Sequence, residues 1–185
     1  MKKSLIFVIS LFLFSQLNAQ FIKSTSVDIS AGLGITVPYD NVDIESYGFY
    51  LQGEYVLNSS YWIDFRTYAG LILTKTEIDK QQNEPAYKSD ARAFLIGGKT
   101  RISPPFRRFA PFFEIGIGAS FGSFETFTPF TFKKDSGVQL HIPFSLGVEL
   151  GYYRNYELSL KYYYHPNMKQ FSGATAVGIS IPLSN

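Results

Sequence analysis

Beyond its first twenty residues the chain alternates apolar positions with small or polar ones, over segments long for ordinary strands. From Val27 to Val37 the odd positions read Val27, Ile29, Ala31, Leu33, Ile35 and Val37, set against Asp28, Ser30, Gly32, Gly34 and Thr36. From Val138 to Tyr152 the even positions are all apolar and face Gln139, His141, Pro143, Ser145, Gly147, Glu149 and Gly151. Successive side chains of a strand point to opposite faces, so each segment has one apolar face and one small or polar face. Strands of globular proteins usually run about 5–6 residues, whereas a tilted membrane-crossing strand needs roughly 9–11. These segments are long enough to cross a bilayer.

The same period predicts eight strands, at 25–37, 47–57, 61–74, 91–102, 111–123, 138–152, 156–165 and 174–183. In the fourth, Phe94-Leu95-Ile96-Gly97-Gly98 fits either register. The register that turns Lys99 and Arg101 inward is taken, because a cation aimed at lipid costs about 2–4 kcal/mol at the midplane. Short connections at 58–60, 103–110 and 154–155 alternate with longer polar ones at 38–46, 75–89, 124–137 and 166–173. Outer-membrane barrels have short periplasmic turns and longer external loops, so the longer set is expected outside and both termini in the periplasm.

The expected fold is all-β: an eight-stranded antiparallel up-and-down transmembrane β-barrel. A soluble lipocalin-like barrel has the same strand order but points its apolar face inward. The nearly unbroken, ring-rich apolar face and the few charges on the other face favour the inside-out arrangement, with lipid outside.

The N-terminus gives an independent reason to expect export. Met1-Lys2-Lys3 is a short basic region, Leu5 to Phe14 an apolar core, and Leu17-Asn18-Ala19 before Gln20 a cleavage site. Together these predict a signal peptide over 1–19 and a barrel domain over 20–185. Removing the leader leaves 15 basic and 15 acidic residues. With no net positive field, nucleic acid is not an expected partner. Cysteine is absent, which excludes disulfides and thiolate metal sites. The 13 Tyr and 18 Phe suit aromatic belts at a membrane interface.

Under this register the lumen collects Asp28, Gln52, Glu54, Asp64, Arg66, Lys99, Arg101, Glu114, Gln139, His141, Glu149, Glu157, Lys161 and His165. Eight strands enclose only enough space for side chains to fill, so these residues are expected to form a packed network of ion pairs. Gly32-Leu33-Gly34 and Gly116-Ile117-Gly118 lack the helix and lysine of a phosphate loop and lie within strands, where glycine relieves crowding. No metal-ligand spacing is present: His141 and His165 fall on neighbouring strands, and zinc sites typically want a third protein ligand. No cofactor is expected.

Taken with the strand period and the ending Ala176-Val177-Gly178-Ile179-Ser180-Ile181-Pro182-Leu183, the mature chain resembles the small outer-membrane barrels of OmpA and OmpX type. The leader ending in Ala19-Gln20 and the Tyr- and Phe-rich strands are similar in style to barrels of Bacteroidota-type, Gram-negative bacteria. The resemblance implies residence in the outer membrane among lipid and lipopolysaccharide, and insertion by the barrel-insertion machinery, which reads the terminal strand. It departs from the family at Ala176, where a polar residue is usual, and at Ser184-Asn185, where many members end on an aromatic.

A narrower likeness joins 147–151 and 158–167 to the penultimate hairpin of PagL-type lipid A deacylases, whose His-x-Ser-Asn motif supplies a base and a nucleophile. His165 matches the base and is the one catalytic candidate. Asn167 stands where the nucleophile belongs, no acid follows His165, and Ser172 is the nearby hydroxyl. By that mechanism the chain lacks an activated nucleophile.

Three functions follow. The leading expectation is a non-enzymatic barrel acting through its external loops as a structural, adhesion or envelope-complex accessory protein with a protein or glycan partner. Its loop candidates are Phe124, Phe127, Phe130, Phe132, Lys133 and Lys134, an aromatic run beside two cations; the competing reading is that this run extends the fifth strand above the membrane or dips into the lipid headgroups. The alternatives are a lipid A deacylase-like hydrolase and a narrow channel or carrier for a small hydrophobic solute. Trp62, Tyr50, Tyr68 and Tyr163 on the inward face, with the charged set, argue against an open lumen.

Overall fold

The computed structural model describes residues 22–40, 42–76 and 87–184. Eight strands follow one another: β1 (Ser24–Pro38), β2 (Ser46–Asn58), β3 (Ile63–Thr76), β4 (Lys88–Ile102), β5 (Arg108–Phe127), β6 (Phe132–Gly151), β7 (Tyr156–His165) and β8 (Gln170–Ser184). Each pairs antiparallel with its sequence neighbours, and β1 pairs with β8 to close the barrel. Closure satisfies the backbone donors and acceptors that a bilayer would leave unpaired. The proposed leader over 1–19 lies outside the described residues.

The two-residue period sorts the side chains as expected for a barrel turned inside out. Leu33, Ile117, Leu140 and Val177 stand exposed on the outer wall, whereas Ile72, Leu95, Glu114 and Arg101 are fully buried within. In β4 the inward residues are Ala91, Ala93, Leu95, Lys99 and Arg101, with Phe94 and Ile96 outside. That register keeps Lys99 and Arg101 inside, while Arg92 near the start of β4 stands on the outer face.

Two connections differ from the sequence reading. The segment at 124–137, expected as an external loop, is mostly strand, as the competing reading of its aromatic run had it, and half of 166–173 is strand. β5 and β6 are each 20 residues long, and the turn between them is only 128–131. Alternation continues past the membrane here: Phe124 and Thr126 still point inward, and Glu125 pairs with Lys88 at 2.9 Å. Polar residues at the outward positions, such as Glu125, Lys134 and Ser136, hid the strands because their outer faces meet water, not lipid.

Trp62 is the third correction. It lies in the β2–β3 turn, half exposed at 52%, and does not fill the lumen. β3 begins one residue later, and a turn residue is not bound by the strand's alternation.

Candidate functional site

The lower lumen, toward the end that holds both termini, is a continuous set of ion pairs. Arg66 reaches Asp28 at 2.6 Å, Glu54 at 3.1 Å and Asp64 at 3.3 Å. Lys99 bridges Glu54 and Glu114, each at 2.7 Å. Arg101 binds Glu114 at 2.7 Å, and Glu149 and Glu157 at 2.5 Å each. Lys161 closes the set on Glu54 at 2.9 Å and Glu157 at 3.1 Å. The Arg101 guanidinium also lies 3.6 Å over the Phe112 ring. Such charges are tolerated away from water because each has several partners; one left unpaired would cost several kcal/mol. Ten of the residues expected in the lumen are brought together in this way.

Glycine makes room for the bulk. A Cβ on Gly116 would lie 2.1 Å from the Gly98 carbonyl oxygen and 2.7 Å from the Lys99 Cα, so β4 and β5 approach closely only where that atom is missing.

Above the ions the lumen turns aromatic and neutral. The Tyr50 and Tyr163 hydroxyls meet at 2.9 Å, and Tyr163 donates to the Gln52 side-chain oxygen. Tyr68 meets His141 Nε2 at 2.5 Å; Ser120 Oγ lies 2.7 Å from His141 Nδ1 and 2.8 Å from His165 Nε2. With Tyr68 donating to His141, His141 Nδ1–H donating to Ser120 and Ser120 donating to His165, every bond has one donor and one acceptor. The opposite direction leaves the Tyr68 proton without an acceptor.

Ser120 is the residue that sequence reasoning missed. It stands 45 positions from His165 and adjoins it only through the register of β5, β6 and β7. Ser172, by contrast, accepts a hydrogen bond from Thr36. His165 therefore does have a hydroxyl beside it, which corrects the expectation. The group is nevertheless poorly arranged for acyl transfer. Ser120, His141 and His165 are buried, Phe124 packs 4.8 Å from the His165 ring, and among the described residues neither imidazole contacts a carboxylate that would orient it. Among the described residues no group of three or more metal-ligating side chains converges.

The loop candidates scatter. Phe124 is fully buried in the lumen, because it continues the inward face of β5. Phe127 packs edge-on against Phe132 at 5.2 Å and on Tyr87 at 5.6 Å. Phe130 and Phe132 are 76% and 78% exposed at the tip of the β5–β6 hairpin. Lys133 donates to the Asn167 carbonyl, and Lys134 is exposed, 3.8 Å from Glu125.

The extended β5–β6 hairpin leaves one open edge. Residues 132–141 of β6 all pair with β5. On the other side β6 pairs with β7 only from Ile142 to Leu150. β7 ends at His165, so the half of β6 next to the β5–β6 turn stands above the β7–β8 turn. The Ser136 N–H on this stretch is taken up by its neighbour Asp135 at 2.8 Å. Asn167 reaches Gln139 at 3.2 Å from the turn, and between them lies a groove of about 760 Å³ lined by Phe132, Lys134, Val138, Gln139 and Met168.

No family model and no curated protein matches this sequence. Solved structures do. The crystal structure of Neisserial surface protein A matches with a TM-score of 0.55 at 12% identity, over 85% of this chain and 96% of that one. The outer membrane protein OprG from Pseudomonas aeruginosa matches with a TM-score of 0.53 at 11% identity, over 88% of this chain and 98% of that one. The chain has the fold of a small outer-membrane β-barrel. The outer membrane enzyme PagL is also similar, with a TM-score of 0.48 at 13% identity, over 84% of this barrel and 99% of that chain. At such identities the likeness is one of fold, and the function of this barrel has to come from its own residues.

Proposed function

We propose that this barrel is non-enzymatic and works at its external end, where the open edge of β6 takes up an extended segment of a partner protein. The supporting observation is the run 132–141, paired on one side and free on the other. A free strand edge offers a ladder of backbone donors and acceptors that another extended chain matches. Phe132 and Val138 supply apolar contact beside it, and Lys134 favours an acidic residue opposite.

Panning a random 12-residue peptide library on the barrel in nanodiscs tests this. Enriched peptides should be rich in β-branched and aromatic residues with an acid, and should lose binding to Ser136→Pro, which removes the edge N–H that Asp135 holds until a strand displaces it. No enrichment, or equal binding to Ser136→Pro, contradicts the proposal. Replacing Phe130 and Phe132 with Ser should weaken capture and leave the fold intact.

The Ser120–His165 contact is the one observation favouring the hydrolase reading. Its burial in the lumen, away from lipid acyl groups, weighs against it. Overexpression should therefore leave the lipid A mass spectrum unchanged; loss of one acyl chain would establish the enzyme instead.

A further inference from the structure

The opposite end of the barrel holds a vestibule that the external function does not use. It has a volume of about 660 Å³, within the range of about 300–1,000 Å³ usual for ligand sites. Its floor is the edge of the ion network, at Asp64, Arg66 and Glu149. Three aromatic residues, Tyr61, Trp62 and Tyr153, stand on its rim. Tyr61 and Tyr153 are 77% and 79% exposed. The walls carry Asn58, Ser60, Ser103 and Asn155 from the short turns, and Ser24 and Ser180 from the barrel ends.

Three properties define what fits. The charges at the floor are already matched: Arg66 pairs with Asp64 at 3.3 Å and Arg154 with Glu149 at 2.5 Å. Lys23, also in the lining, lies 4.0 Å over the Tyr61 ring and has no ion-pair partner among the described residues, so the vestibule carries one positive charge beyond its matched pairs and suits a ligand with at most one negative charge. Its walls are hydroxyls and amides, which both donate and accept and so suit a ligand dense in hydroxyl groups. Its rim is of Tyr and Trp, whose flat apolar faces pack on C–H surfaces while their polar tips stay wet. A ligand rich in hydroxyls, bearing flat C–H faces and carrying at most one negative charge per ring is a saccharide. We infer that the periplasmic mouth of this barrel is a binding site for a glycan one or two rings deep, stacked on Trp62 and Tyr153 and stopped by the ion-paired floor.

Trp62 is the only tryptophan in the chain, so its emission reads out the site directly. The whole barrel in nanodiscs is titrated with an N-acetylglucosamine tetrasaccharide, with cell-wall glycan freed of its peptides, and with the stem peptides alone. The inference predicts a saturable change in Trp62 emission with at least one of the two glycans and none with the peptides. Tetrasaccharide binding marks a site for free oligosaccharide, and response to the wall glycan alone marks a polymer site. Tyr153→Ala and Asn155→Ala should each weaken binding about 10-fold, or about 1.4 kcal/mol, while the folded species on an unboiled gel is retained. No saturable change, a response to peptides alone, or unchanged affinity in both variants overturns it. So does quenching of Trp62 by brominated acyl chains with protection from aqueous iodide, which would make the rim a lipid-anchoring belt.

Discussion

At position 118 a single added methyl group would decide whether the upper lumen closes. A Cβ there would lie 2.3 Å from the Tyr68 hydroxyl and 2.5 Å from His141 Nε2. The Tyr68–His141–Ser120–His165 chain thus exists only because residue 118 has no side chain. Gly118→Ala should destabilise the folded barrel by about 1–3 kcal/mol through overpacking, read as a lower midpoint of urea unfolding from vesicles; an unchanged midpoint would mean the chain of bonds has slack. The ion network spreads such a loss. Glu114 serves Lys99 and Arg101 at once; Glu114→Ala leaves Lys99 with Glu54 and Arg101 with Glu149 and Glu157, so it should cost less than the ~3–5 kcal/mol of a buried charge left with no partner. Pairing it with Lys99→Met should recover part of that loss. At this scale the sequence was informative about which residues face inward, since alternation dictates it. It was silent on which of them touch: Ser120 meets two histidines of other strands through registers that no local pattern encodes, and the hydroxyl beside His165 went unseen.

At the scale of elements, apolar alternation marked the eight strands where they meet lipid and lost them where they rise above it. β5 and β6 continue as a paired ribbon whose outward positions carry Glu125, Lys134 and Ser136. A reader of hydrophobicity sees a polar loop, because the solvent on that face has changed while the backbone has not. The open edge predicts uneven amide exchange along β6: residues 132–141 with free N–H groups should exchange much faster than 142–150, which are paired on both sides. Uniform protection would mean that the edge is covered. The same end is clasped at a second place. Thr128 donates to Asp40 at 2.8 Å, tying the β1–β2 connection to the β5–β6 turn. The Thr131 and Thr128 hydroxyls beside Asp40 hold its carboxyl below the usual carboxylate range. A carboxyl with a depressed pKa contributes stability that is present above its unfolded value and lost as pH falls through the folded one. The clasp should therefore survive at about pH 4, the ordinary carboxylate value, and open below it. A carbon-13 titration of the Asp40 carboxyl checks this, and a midpoint at or above the ordinary value would contradict it.

For the whole molecule, orientation and solvent are the governing quantities. The chain has no cysteine, so single replacements report cleanly on sidedness. Phe130→Cys at the external tip should react with an impermeant maleimide on intact cells, and Asn155→Cys in the opposite turn only after lysis. Reversed labelling would move the open β6 edge to the periplasm and remove the basis for an external partner. The central claim is that the unbroken apolar face meets lipid and the polar face is a packed interior. Its most direct test is methyl NMR of the native barrel in nanodiscs with two relaxation agents, one dissolved in the acyl region and one in water. Leu33, Ile117, Leu140 and Val177 should be broadened by the lipid-soluble agent, while Ile72 and Leu95 should be touched by neither. Broadening of Ile72 and Leu95, or of the outer set by the aqueous agent, would contradict it.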